Sequence, residues 1–342
     1  MHRTSAGVPP HFQGSGPNRR IRRLVVFPPN PALAGNACRW TKILREEMVQ
    51  TLFKQRDSPS PEYEHMYNRI MQVPEARQRF DDMWRIFQPY ADRNFNDEFS
   101  FHPLERFWEM MLTVALLDGG LDVSCPKPGP DICISSAERL VWIEAVAPSS
   151  GSGSNGVPIP PENIMFDYPE TQIILRFRNA LDNKHEGRKK YVEDGIVAAD
   201  DPYVIALSGG RMNVLIDSDE SPAVLKALLP IGPHEVLINT ATGKIEEWRY
   251  AFRPNISKVN SSPVSTEFFL DSQYSGISAV LFSEANFLIG PTDARSNFLV
   301  IHNPIAANPL PQGWLGFGRE CIPRIKGDKL LAEIKSIELT GH

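Results

Sequence analysis

Apolar residues return every three or four positions along several stretches of the chain, the period of a helix with one buried face. The pattern predicts helices over residues 38–56 and 75–88, the second with Phe80, Met83, Trp84 and Phe87 on one stripe. A third helix is better defined. Ser100 is placed to cap it and Pro103 suits its first turn. Leu104, Phe107, Trp108, Met111, Leu112, Ala115 and Leu116 then keep the helical period until Gly119 and Gly120 end it. Apolar runs at 121–125, 131–134 and 140–147 read as strands, and a Gly/Ser/Pro/Asn loop crosses 148–163 as a mobile lid or a disordered crossing. A long helix is expected at 169–192, followed by a strand at 203–208, so the order is helix, strands, helix, strand, one α/β unit. Strands at 276–283 and 297–302 follow. The stretch before them carries a small helix near 222–229 and strands near 235–239 and 244–249.

This patterning divides the chain into a flexible N-terminus (1–20), a mostly helical extension (21–99), an α/β core (100–210) and a C-terminal α+β elaboration (211–342) that adds strands to the core. A composition of 42% apolar and 23% charged residues over 342 positions is that of a folded chain. No apolar run approaches the roughly 20 residues that cross a bilayer. The first residues lack the apolar segment of a secretory signal, so the expected location is the cytoplasm, with no membrane partner. Cys38, Cys125, Cys133 and Cys321 are widely spaced and form no C-x-x-C pair, which argues for free thiols over a zinc site or a disulfide framework. A net charge of -5 argues against a protein that coats nucleic acid nonspecifically, but says little about one with a small basic groove or an acidic site neutralised by a metal.

The candidate chemistry is acidic. Asp131 begins one strand and Glu144 lies inside the next, in the run VWIEAVA. Side chains alternate across a strand, so Trp142, Glu144 and Val146 share one face. If the two strands form a hairpin through 135–138, the two carboxylates come close. A carboxylate in so apolar a strand is costly to bury unless a charge compensates it. A divalent cation with hard oxygen ligands would do so, and so would an arginine or lysine from the long helix. Glu105 and Glu109, one turn apart on the helix before the strands, flank its apolar stripe. On the long helix Lys184 continues the stripe of Ile173, Ile174, Phe177 and Leu181, and Gln172, Arg176, Arg178, Arg188, Lys189 and Lys190 add polar and basic groups.

Together these features resemble the PD-(D/E)XK nuclease superfamily, the fold of many restriction and DNA-repair endonucleases. The resemblance rests on an acidic residue in the first core helix (Glu109 in RFWEMML, with Glu105 as alternate), the Pro130-Asp131 pair in GPDICI, Glu144 in VWIEAVA, and the order of elements. It covers residues 100–210 and implies a restriction-endonuclease-like core, with a mixed central sheet flanked by helices. Its motif is short, so the order and spacing of elements carry it. One position departs: the family's lysine would stand two residues after Glu144, where this chain has Val146. Some members supply that group from the following helix, which implies Lys184 here, with Lys189, Lys190 and Gln172 as alternates.

The resemblance further implies Mg2+ (or Mn2+) held by Asp131, Glu144, the Ala145 carbonyl and Glu109, and a nucleic-acid substrate, DNA ahead of RNA. A homodimer or a partner protein is compatible with it. The rival class is a catalytically degenerate nuclease fold that binds nucleic acid or protein without cutting. A different hydrolase has less behind it: His102, His185, His234 and His302 are candidate bases, but no G-x-S-x-G or H-E-x-x-H motif accompanies them.

Overall fold

The computed structural model describes residues 52–136, 139–158, 167–212, 221–287, 294–327 and 329–337. All of them belong to one compact unit, Thr51–His342. The features expected at 1–20 and over most of 38–56 lie outside the described residues, as does the far part of the 148–163 loop.

Four helices come first: α1 (Pro61–Met71), α2 (Pro74–Phe87), α3 (Phe95–Phe101) and α4 (Pro103–Asp118). Ser60 caps α1, its hydroxyl accepting from the Tyr63 N–H. Ser100 does not cap α4 as expected. It lies inside α3, its hydroxyl donating to the Asp97 carbonyl, and α4 starts directly on Pro103 after His102. An additional helical turn before the proline thus moves the boundary by two residues. Gly119 and Gly120 end α4, Gly120 with a left-handed φ of 79° that favours glycine.

Strands β1 (Asp122–Ser124), β2 (Ile132–Ser135) and β3 (Leu140–Val146) follow, then the 24-residue helix α5 (Glu170–Glu193) and β4 (Tyr203–Ser208). A short helix α6 (Ala223–Leu228) leads to the hairpin β5 (Ile231–Ile238) and β6 (Ile245–Phe252), and to a smaller one, β7 (Asn255–Ser257) and β8 (Pro263–Ser265). The chain continues through β9 (Ala279–Ser283), β10 (Leu299–His302), β11 (Arg319–Cys321), β12 (Arg324–Lys326), β13 (Lys329–Leu331) and β14 (Ile334–Ser336).

The central sheet among the described residues has eight strands in the order β1-β2-β3-β4-β9-β10-β11-β14. It is mixed. The pairs β1–β2 and β2–β3 are antiparallel, β3–β4 and β4–β9 parallel, β9–β10 antiparallel, β10–β11 parallel and β11–β14 antiparallel. The C-terminal region therefore supplies strands to the same sheet, and β4, the run YVIALS, is buried along its whole length, as a central strand covered on both faces must be.

Two apolar layers sandwich the sheet. On one side α1–α4 pack their aromatic residues with Ile132, Ile134, Val141, Ile143, Val204 and Ala206. Trp108, 1% exposed, crosses this layer and donates its indole N–H to the Ala206 carbonyl at 3.0 Å, satisfying the one polar atom of a large buried ring. On the other side α5 and α6 cover Cys133, Trp142, Tyr203, Ile205 and Leu207. The described cysteines, Cys125, Cys133 and Cys321, are free thiols, and no described helix is long and apolar enough to cross a membrane.

Candidate functional site

The parity of β3 decides which side chains can meet. Val141 and Ile143 go to the α1–α4 layer and Trp142 to the α5 layer, so alternation turns Glu144 toward α5. The β2–β3 register pairs Ile132 with Ile143, Cys133 with Trp142 and Ile134 with Val141. Extending that register by one residue sets Asp131 opposite Glu144, where the β2 ladder ends. Asp131 fills the place of the missing strand: its Oδ2 accepts from the Ala145 N–H at 2.8 Å. In an extended strand a residue's N–H and C=O point to the same neighbour, so the Ala145 carbonyl also leaves β3 on the Asp131 side.

From α5, Lys184 donates to Glu144 Oε1 at 2.6 Å. The other oxygen, Glu144 Oε2, is buried and has no hydrogen-bond partner in the protein. Burial pushes the Glu144 carboxyl above its ordinary pKa and the Asp131 charge adds to that, while Lys184 and Lys127 pull the other way. Lys127 stands 3.8 Å from Asp131 Oδ1. The site is thus two facing carboxylates with two lysines beside them and one carboxylate oxygen left unmatched.

Glu109 occupies the margin of this group. Burial and the Asp131 charge push its carboxyl up, but its Oε2 accepts from Arg106 at 2.5 Å, and Arg106 also pairs with Glu98. Glu105, the alternate, turns instead to Arg211, which also donates to Glu62 at 2.6 Å. Lys189 is exposed and pairs with Glu186 at 2.7 Å, Lys190 is exposed, and Gln172 is half-buried near the opposite end of α5 from Lys190. Among the described residues none of these three has a hydrogen bond or ion pair to Asp131 or Glu144. Of the basic candidates on the long helix, Lys184 is the one brought to Glu144.

Several neighbours escaped the sequence reading. Lys127 lies four residues before Asp131, in a Pro/Gly turn that carries no periodicity. Tyr191 follows Lys184 by about two helical turns, and that spacing was the available signal. Its phenol is pushed up to about 12 by burial and by the charges of Glu144 and Asp131. The Cys125 thiol is also pushed up to about 12, by burial and then by Glu109. Tyr203 comes from β4, whose pairing with β3 no local pattern encodes.

Among the described residues no group of three or more His, Cys, Asp or Glu side chains is arranged to hold a metal ion. The expected set with Glu109 as a third carboxylate is therefore not assembled; Arg106 holds that side chain. The hard oxygen donors that remain are the pair of facing carboxylates, one with a buried, unmatched oxygen. Comparison with protein-family models, with curated proteins and with solved structures found no match.

Proposed function

We propose that this chain is a divalent-metal-dependent nuclease with a restriction-endonuclease-like core of the PD-(D/E)XK type, hydrolysing phosphodiester bonds of nucleic acid, DNA ahead of RNA. The observation that carries this reading is Asp131 facing Glu144 across the β2–β3 register while Lys184 reaches Glu144 from α5. It supports a helix-borne lysine standing in for the residue that Val146 replaces.

Asp131, Glu144 and the Ala145 carbonyl would hold Mg2+ or Mn2+, with the Ala145 N–H fixing the rotation of Asp131. When bound, the ion supplies an acidified water as nucleophile and charge stabilisation on the phosphate oxygens. Lys184, anchored on Glu144, presents its ammonium to the attacking water and to charge developing on the phosphate. Lys127 offsets the second carboxylate. Arg106 holds Glu109 at the edge, where its carboxylate can accept a proton from water approaching Asp131.

The test is cleavage of labelled DNA and RNA with Mg2+, Mn2+ or EDTA, comparing wild type with Glu144→Ala. Metal-dependent cutting that falls at least 100-fold in the variant, on the order expected for loss of a metal ligand or its support, supports the reading. A rate unchanged in the variant overturns it. The second reading, a degenerate fold that binds without cutting, draws on the Lys184–Glu144 pair and the lack of a third acidic ligand; nucleic-acid binding with no cleavage under any metal would favour it.

A further inference from the structure

Tyr203, the first residue of β4, is fully buried, and its hydroxyl has no hydrogen-bond partner in the protein. Buried phenols normally find one, so an unmatched O–H is a cost that the fold carries for some other return. The parallel register sets Tyr203 beside Trp142 and Ile205 beside Glu144. Tyr203 and Ile205 belong to the same apolar layer as Trp142. The phenol therefore stands on the face of the sheet that Glu144 occupies, one pleat along, a diagonal that an aromatic side chain spans. After burial, the Glu144 charge is the largest influence on that hydroxyl, with Tyr191 and Asp131 behind it, and together they keep the phenol protonated and so a donor. The Arg188 guanidinium carbon lies 5.9 Å from the Tyr203 ring centroid and helps to fix the ring.

Two unmatched buried atoms, a donor on Tyr203 and an acceptor on Glu144, thus belong to diagonal neighbours on one face of the sheet. We propose that Tyr203 is a positioning residue for Glu144: its O–H donates to a water that in turn donates to Glu144 Oε2, and this bridge fixes the carboxylate plane presented to a divalent cation. The inference rests on the proposed metal-dependent reading and adds to it a residue outside the family motif. A phenol buried only for packing would lose nothing when its oxygen is removed. A positioning phenol would lose the bridge.

The experiment is Mn2+ titration of the full chain, followed by calorimetry and by the electron-spin signal of free Mn2+, for wild type, Tyr203→Phe and Glu144→Gln, with cleavage measured in parallel and melting recorded without metal. Tyr203→Phe is expected to fold as wild type does and to melt close to it without metal, because it keeps the buried ring and removes one hydroxyl and its single bridge. It should bind Mn2+ about 10-fold more weakly, the lower end for residues that orient ligands, and rescue of cleavage at high Mn2+ should leave kcat near wild type. Mn2+ binding that is lost in Glu144→Gln but unchanged in Tyr203→Phe overturns this inference and leaves the nuclease reading standing. Mn2+ binding absent from wild type, or indifferent to Glu144→Gln, overturns both.

Discussion

Glu144 and Glu170 both meet a lysine in contacts that involve α5, yet the two carboxylates are held in opposite ways. Glu170, the first residue of α5, has both oxygens engaged. Lys226 of α6 donates to Oε1, and Arg253 donates to Oε2 through two nitrogens at 3.0 Å each. Burial would raise its pKa, but the two cations more than offset that and hold the carboxyl below its usual value. Glu144 has a cation on one oxygen only, and burial and Asp131 outweigh it, so that carboxyl is raised. The difference separates a clamp from a site. A carboxylate matched on every side has no acceptor left for a ligand, whereas one matched on half keeps capacity at some cost to stability.

The largest expected effect breaks the clamp. Glu170→Ala takes away the one carboxylate that Lys226 and Arg253 share, and the loss should be about 3 kcal/mol, as for removal of one partner of a buried pair. Glu144→Ala removes a poorly compensated charge whose lysine can turn toward solvent, so its loss without metal should stay below about 1 kcal/mol. Urea denaturation of the two variants compares them directly, and equal losses would erase the distinction between clamp and site.

A smaller effect concerns pH. The folded pKa of Glu170 lies below its ordinary 4.5, so its stabilisation is fully present above that value and declines as pH falls through the folded pKa. The gap in stability between wild type and Glu170→Gln should therefore be constant above pH 5 and close below 4.5. A gap that widens in acid would mean that the carboxyl is not depressed. The smallest effect belongs to Lys127, half exposed at 3.8 Å from Asp131. Lys127→Ala should change the unfolding free energy by less than about 0.5 kcal/mol, as exposed pairs do; a larger loss would show that the site end of the sheet depends on it as the clamp depends on Lys226.

Much of this was legible where one local rule acts alone. The period of α4 and α5, the alternation of β3 and the run of β4 are set by burial of one stripe or one face, and the expected bounds agree with the observed ones to within a few residues. For β4 they coincide. Lys184 was legible because it continues the apolar stripe of its own helix. The hairpin register that faces Asp131 with Glu144 was legible as a condition, since two strands and a short turn leave few alternatives. The rest depends on pairings between distant segments. Helices α1 and α3, the small strands β7–β8 and β11–β14, and the arrival of Tyr203 beside Trp142 come from tertiary contacts that no window of the sequence contains. The engagement of Glu109 is a similar case: it lies on α4 as the helical period implies, but the period does not say that Arg106, one turn earlier, takes its carboxylate.

In mechanical terms α5 is a rod clamped near its start by Lys226 and Arg253, with Lys184 carried about 21 Å further along the axis at 1.5 Å per residue. The torsional phase of Lys184 is therefore inherited from the clamp. Inserting one residue between Glu170 and Lys184 would advance the lysine by roughly 100° around the axis, turning it off the sheet while every named residue of both contacts is still in the chain. On the proposed reading, the spacing of the rod counts as much as the identity of the lysine.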